Sequence, residues 1–429
     1  GQREELVKNL PHSKVLHTID EREQICDNCG STMVKVGEEF VRTEVQFIPA
    51  KLKVIDHYRE TYECRSCRKN GTPYMEKAPV PYPPVLHSLA SASTITWLIH
   101  QKFELSIPLY RQEKEWEALG LRLSRATMSN WLLVVYRDWL VHIVHRLKLE
   151  LLKQRYLHID ETHVQVLKEP GRKNTSDSYM WVYCSIRDAV NPIRYFEYQP
   201  GRSGKYPEAF LREYEGYIHT DAYSGYNAVS GVKRCLCYTH LRRAFVDALP
   251  KDIHNSEASK PAEAILRLNQ LFNIESELEA LPPEQKKKER LIRERPLLEA
   301  FWSWAEKSAI GELPKSKLSK AFHYALNNRE GFWNYLEDGN CSISNSLAEN
   351  CIRPFVIGRK NWLFSGSPKG AEASAGIYTL VETAKANGLA PMKYIKYILS
   401  DMPGSAFLEH PEYLDDYLPW NPLVKEFCR

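Results

Sequence analysis

Between residues 154 and 242 the chain reads as five short β-strands with one helix among them, and no other stretch limits the fold as strongly. The strands are "YLHIDETHVQVL", "SYMWVYCSIRD", "IRYFEYQ", "GYIHTD" and "VKRCLCY", rich in β-branched and aromatic residues, with a helix expected at "GKYPEAFLREY" before the fourth. Three strands in succession, then a helix, then further strands imply a mixed sheet and not a sandwich. The expected fold class is therefore α/β (mixed). One feature of the first strand needs explaining. Asp160 and Glu161 sit in its middle, where a buried carboxylate without a partner costs several kcal/mol. Side chains alternate along a strand, so Asp160 shares a face with His158 and Thr162, and Glu161 points the other way. A metal ion is one partner that would relieve the cost.

A length of 429 residues suggests roughly two to four domains, and the texture of the sequence separates five segments. Residues 1–85 alternate short strand-like runs with turns and end in the Pro-rich "APVPYPPV". Residues 86–153 are helical in period, 154–242 hold the strands, and 243–340 return to helix, with Ile265, Leu268, Phe272 and Leu278 at helical spacing. There "LPPEQKKKER" reads as the turn of a charged helical hairpin. Residues 341–429 carry helices around "SNSLAENCIRPFVIGRKNWLFSGS". No apolar run approaches the roughly 18 residues that cross a bilayer, so no membrane partner is expected. No secretory leader is read at the N-terminus. The chain opens "GQREELVKNLPHSK" without a methionine, and its natural start is expected upstream. The net charge of +4 lies within residues 1–155, which hold 23 Lys and Arg against 19 Asp and Glu. That excess permits a polyanionic partner.

Four of the ten cysteines form two CxxC pairs, Cys26 with Cys29 and Cys64 with Cys67, separated by 34 residues. Two such turns complete a closed tetrahedral Zn²⁺ site, and the intervening residues read as strands, as in a zinc ribbon. The alternative is a pair of redox or disulfide couples. The other six cysteines are scattered through apolar segments, as in a reducing cytoplasm. Arg59, Arg65, Arg68 and Lys69 around the second pair suit DNA, with a purely structural module as the alternative.

"IPLYRQEKEWEALGLRLSRATMSNWLLVVY" has the form of a helix-turn-helix. A first helix is expected from about Leu109 to Leu119, ended by Gly120, and a second from Arg125 to about Tyr136, capped by Ser124. Trp131, Leu132 and Val135 would face the core, and Arg125, Ser129 and Asn130 a major groove. A packed helical pair without nucleic acid is the other reading.

Two more acids stand where the first strand's Asp160 would need them. Asp221 ends "GYIHTD", and Glu349 lies in "SISNSLAENCIRP", a helix that Ser344 is placed to cap and Pro354 to end. Arg353 follows Glu349 by four residues on the same helical face. Three carboxylates from two strands and a helix are the arrangement that binds two Mg²⁺ ions for phosphodiester cleavage. Spacing alone leaves open that these are three ordinary acids.

The sequence resembles transposases of the insertion-sequence-66 family from about residue 1 to residue 400. The residues that carry the likeness are "IPLYRQ", "LSRATMSNWL", "HIDETHV", "HTDAYSGY", "CYTHLRRAF" and "NSLAENCIRPFVIGRKNWLFSGSPKGA". The resemblance implies a DDE enzyme with an RNase H-like catalytic core, an upstream zinc-binding domain and a helical insertion. It places the catalytic acids on Asp160, Asp221 and Glu349, with two Mg²⁺ (or Mn²⁺) ions. It implies DNA as partner, both the terminal inverted repeats of an element and a target. It further implies homo-oligomers on DNA, accessory proteins of the same element, and a place at the bacterial nucleoid. Cys237 and His240 form a CxxH that matches a pattern of such enzymes, with a core cysteine beside a helix-entry histidine as the alternative. The usual Asn-rich run before the glutamate is here "ISNSLAE", with serines at two places.

Beyond Glu349, "RPFVIGRKNWLFSG" sets Arg353, Arg359 and Lys360 beside Trp362 and Phe364. Cations interleaved with aromatics suit a DNA strand entering the site, unless the aromatics belong to the core. The expected function is DNA strand cleavage and strand transfer. The competing functions are a domesticated or inactive DNA-binding protein and an RNase H-like nuclease.

Overall fold

The computed structural model describes residues 5, 7–45, 50–250 and 259–429, so residues 251–258 of the expected helical insertion 243–340 and residues 46–49 between the CxxC pairs lie outside the described residues. The chain divides into two units, Gly1–Lys53 and Val54–Arg429. In the first, a 3₁₀ turn Glu21–Glu23 is capped by the Asp20 carboxylate, which accepts from the Arg22 amide. A tight turn follows, in which the Gly30 amide donates to Cys26 O (2.8 Å) and the Cys26 amide to Ser31 O (2.9 Å). The strands expected between the two CxxC pairs do not form among the described residues, apart from a single Ile25–Thr32 bridge and the three-residue strand Thr61–Glu63. Val34, Val36, Phe40 and Val41 are exposed; with no second layer to cover them, β-propensity alone does not order a sheet.

The second unit begins with a hairpin, β1 (Thr61–Glu63) antiparallel to β2 (Met75–Lys77). Helices follow: α1 (Ala92–Ile99), continued by a π-turn His100–Glu104, then α2 (Leu109–Ala118) and α3 (Arg125–Val135). Gly120 adopts φ +93° at the end of α2, where a side chain would be strained. The Ser124 hydroxyl accepts from the Thr127 amide at the start of α3. The second helix does not end near Tyr136 as expected. It passes through a π-turn, Tyr136–Leu140, into α4 (Val141–Leu152). Leu140, Ile143, Val144, Leu147 and Leu151 prolong its apolar stripe into the core that already holds Met128, Trp131, Leu132 and Val135.

The five expected strands form: β3 (Tyr156–Val166), β4 (Asp177–Ser185), β5 (Arg194–Gln199), β6 (Gly216–Thr220) and β7 (Val232–Leu236). Their order across the sheet is β5-β4-β3-β6-β7. β4 runs antiparallel to both β3 and β5, whereas β6 is parallel to β3 and to β7. The helix before β6 is shorter than expected, Lys205–Phe210. After β7 come α5 (Tyr238–Val246) and the insertion helices α6 (Lys260–Glu277), α7 (Pro283–Arg293), α8 (Arg295–Ala309) and α9 (Lys317–Asn327). The sequence "KKKER" lies within α7 and not in the hairpin turn.

Helix α10 (Ser346–Trp362) carries Glu349 and leads into the two-residue strand β8 (Phe364–Ser365), which pairs in parallel with Gln165–Val166 of β3. α11 (Pro368–Ala386) and α12 (Pro391–Asp401) follow, and a 3₁₀ turn, Pro411–Tyr417, and a last helix, α13 (Pro422–Cys428), end the described chain. Pro354 does not end α10: the helix runs on to Trp362. A mid-helix proline costs about 3 kcal/mol, and here buried residues stand on both sides of it: Ile352 before it, and Phe355 and Gly358 after it, against Tyr378 of α11. Two cores result. One joins α1–α4, the sheet and the C-terminal helices; the other packs the insertion helices against Tyr217, Cys235 and Leu236 of β6 and β7.

Candidate active site

His158 of β3 lies opposite His219 of β6 in parallel register, and their rings stack at 4.2 Å with an interplanar angle of 10°. Two residues after each histidine stand Asp160, on β3 and on the same face as His158, and Asp221, just past the end of β6. The repeated spacing His-x-Asp, in "HID" and "HTD", thus puts an imidazole floor beneath a pair of carboxylates. Both rings are buried, His158 2% and His219 1% exposed. His219 hydrogen-bonds Leu157 O through Nδ1 (3.0 Å) and accepts from the Ser342 amide at Nε2 (2.9 Å). His158 is held well below its usual pKa by burial and by the neighbouring ring of His219.

The helix bearing Glu349 is fixed to β3 by its first residue. The expected cap, Ser344, is not used: the N-cap position is Asn345, whose side chain does not cap its own helix. It is spent on the strand instead. Asn345 Nδ2 donates to Ile159 O (2.7 Å), Oδ1 pairs with His158 Nδ1 (3.0 Å), and the backbone amide reaches Cys237 Sγ (3.1 Å). α10 runs along β3 in the same direction, since Arg359 near its end donates to Thr162 Oγ1 (3.0 Å) and to His163 O. Four residues of helix rise about 6 Å and two residues of strand about 6.6 Å. Asn345 beside His158 therefore implies Glu349 beside Asp160.

The electrostatics agree with that placement. Burial, followed by the charges of Glu161, Asp221 and Glu349, pushes the Asp160 carboxyl up to about 7. Glu349 Oε1 and His240 Nδ1 face each other at 3.7 Å, and both are buried without a hydrogen-bond partner. Cys237, His240 and Glu349 offer ligand atoms within 4.8 Å of one another. His240 is held above its usual pKa, first by the Cys237 side chain and then by Glu349 and Asp221. Arg243 brings a guanidinium nitrogen to 4.0 Å from Glu349. Mutually repelling carboxylates with an unsatisfied oxygen fit a divalent cation.

Glu161, on the other face of β3, accepts from Arg202 Nε (2.6 Å) and from the Tyr226 hydroxyl. Burial raises its pKa, and these two partners oppose the rise.

The remaining expected residues stand elsewhere. Arg125 and Asn130 are exposed on α3, and Ser129 is half-buried. Arg353 and Lys360 are exposed, whereas Arg359 is turned onto β3. Trp362 packs against the core beside Tyr378, and Phe364 is exposed. At the zinc pairs, Cys26 and Cys29 lie in the first unit and Cys64 and Cys67 in the second. Backbone amides act on a sulfur in each: the Ser31 backbone lowers the Cys29 thiol and the Cys67 backbone the Cys64 thiol. All ten cysteines are free. Sequence reasoning missed His158, His219, Asn345, Arg202 and Tyr226. Only the histidines left a signal, in the repeated His-x-Asp.

Comparison with known proteins gives the family. The family model described as "Transposase IS66 family" matches residues 87–373, and "zinc-finger binding domain of transposase IS66" matches residues 23–68, which include all four paired cysteines. Three proteins of Sinorhizobium fredii (strain NBRC 101917 / NGR234) are similar along most of their length. Uncharacterized protein y4hP is 27% identical over 92% of this chain and 73% of its own. Uncharacterized protein y4jD is 26% identical over 97% and 81%, and uncharacterized protein y4qI is 27% identical over 96% and 76%. The class is that of the transposases, DNA-processing enzymes, here with a zinc finger ahead of the sheet. The chain belongs to the IS66 family of transposases. No helix among the described residues is long and apolar enough to cross a membrane.

Proposed function

We propose that this chain is a DDE-type transposase that cleaves DNA at the ends of a bacterial insertion sequence and joins them to a target. What supports the reading most is the His158–His219 stack beside Asp160 and Asp221, with Asn345 tying the helix of Glu349 to β3 and the charges of Asp221 and Glu349 both acting on Asp160. The strand order β5-β4-β3-β6-β7, with only β4 reversed, supports an RNase H-like core.

Asp160, Asp221 and Glu349 would hold two Mg²⁺ or Mn²⁺ ions. When bound, such a pair activates water or a 3′-hydroxyl and stabilises the leaving oxygen. The chain's own contribution is positional. The stacked histidines exclude water below the acids, Asn345 fixes Glu349 against β3, and Glu349 Oε1, which faces His240, has no hydrogen-bond partner among the described residues. Cys237 accepts the Asn345 amide and sits beside His240, so this pair supports the helix entry and the Glu349 side chain.

In the same reading, Cys26, Cys29, Cys64 and Cys67 hold one structural Zn²⁺. Arg125, Ser129 and Asn130 on α3 contact the element ends, and Arg353 and Lys360 the strand near the acids. The protein acts as a homo-oligomer on DNA at the bacterial nucleoid, together with accessory proteins of its element.

The test is incubation of the full chain with a duplex carrying the DNA that flanks its gene, in Mg²⁺ or in EDTA. Metal-dependent nicking at the ends, lost in Asp160→Ala, Asp221→Ala and Glu349→Ala while end binding persists, is the expected result. Binding without cleavage by the wild type would mark a DNA-binding descendant. Cleavage indifferent to the ends would mark a nuclease.

A further inference from the structure

Arg202 lies outside every motif that carries the family likeness, yet it is held from two sides in a loop tied to that of Asp221. Behind it is Glu161, whose side chain is 2% exposed; its Oε1 accepts from Arg202 Nε (2.6 Å) and lies 2.6 Å from Nη2 in the same ion pair. The second oxygen of Glu161 is taken by the Tyr226 hydroxyl, which keeps the carboxylate from turning. To one side is Tyr223, whose ring centroid lies 3.9 Å from the guanidinium carbon. The Tyr223 hydroxyl donates back to Arg202 O (2.7 Å), and its amide donates to Asp221 Oδ1 (3.0 Å). One aromatic residue thus ties the arginine loop to the acid-bearing loop.

That approach depends on two glycines. A Cβ on Gly204 would fall 2.4 Å from Gly225 O, and one on Gly225 would fall 2.2 Å from the Tyr223 ring. The side chain of Arg202 nevertheless remains 40% exposed. A structural ion pair has no need of a stacked, open guanidinium fork beside a cluster of repelling carboxylates. A site that receives a phosphodiester does, because a fork with free N–H groups reads the non-bridging oxygens of a phosphate.

We infer that Arg202 binds a non-bridging phosphate oxygen of the DNA strand lying against the acids, and that Glu161 is the positioning residue that holds the fork in place. This rests on the DNA-cleavage reading for its setting and is tested separately from it. The opening puzzle of two adjacent acids in one strand then resolves by face: Asp160 serves the cation side, and Glu161 holds the arginine that meets the phosphate.

Two measurements on the full chain decide it. The first is affinity for the flanking-DNA duplex against salt concentration, in EDTA, for wild type, Arg202→Gln and Arg202→Lys. Arg202→Gln should lower the salt slope by about one charge, and Arg202→Lys should leave it intact. This holds whether or not the wild type cleaves. The second is Mg²⁺-dependent cleavage, which should fall about 10²–10³-fold in Arg202→Gln, in the range of a lost transition-state donor. On a duplex with a neutral methylphosphonate at the mapped cleavage position, that defect should disappear. Glu161→Gln should reduce cleavage with the salt slope unchanged, because it loosens the fork and leaves its charge. An Arg202→Gln slope equal to that of wild type overturns the inference. So does a defect that is undiminished on the methylphosphonate duplex, which would assign Arg202 to holding the loop. A wild type that binds with the Arg202 slope effect but never cleaves would refute the cleavage reading and leave the phosphate contact standing.

Discussion

Asp160→Asn should make the metal-free protein more stable while destroying its activity, and the amount follows from the site. The Asp160 carboxyl is moved from its ordinary 3.8 to about 7 by burial and by three neighbouring acids. The folded protein therefore keeps this proton at pH values where the unfolded chain has lost it. This group's contribution to stability is fully present below about pH 4, falls as pH rises towards 7, and is lost above it. The full loss corresponds to about 4 kcal/mol, at about 1.4 kcal/mol for each tenfold change in proton affinity. An asparagine carries no charge to repel, so the variant should lack this dependence. Denaturant titrations of both proteins in EDTA, at pH 5 and pH 8, give the comparison. The variant's advantage should widen by roughly 2.5 kcal/mol between the two. Added Mg²⁺ should stabilise the wild type and leave the variant almost unmoved. A constant gap across pH, or a variant less stable than wild type at pH 8, would refute the claim that burial and the neighbouring acids hold the Asp160 carboxyl up.

Three further outcomes are expected. Asn345→Ala should cost about 2–4 kcal/mol, because His158 Nδ1 and Ile159 O lose their partner in the interior at about 1–3 kcal/mol each. Thermal melts check this, and a variant that cleaves normally would show that Asn345 does not set the position of Glu349. The purified protein should contain one zinc per chain. Elemental analysis after Cys26→Ser or Cys64→Ser should show it lost, and a zinc content equal to wild type would remove those thiols from the site. Arg353→Ala with Lys360→Ala should flatten the salt dependence of DNA binding by up to about two charges. Arg359→Ala should instead lower stability, since its guanidinium is bonded to Thr162 and His163 of β3; salt titrations and melts of the two variants separate these roles.

What the sequence determined by itself is the part encoded in short-range pattern. The five strands, the glycine stop at Gly120, the Ser124 cap and the CxxC turns each depend on neighbours within a few residues, and local propensity reports them directly. Asp160, Asp221 and Glu349 were legible because charged residues in or beside buried elements demand a reason, and the family likeness singled them out from other acids. Tertiary structure decided the rest wherever a distant partner outweighed the local rule. Pro354 is carried through α10 because buried residues stand on both sides of it. α3 runs on past Tyr136 because the stripe of α4 reaches the same core. Asn345 gives up its cap to bind a strand 186 residues earlier in the chain. Arg202 and Glu161, 41 residues apart, meet only because Gly204 and Gly225 let two loops touch. Contacts of that range leave no periodicity in the chain. They are fixed by which buried polar groups must find partners once the core has closed.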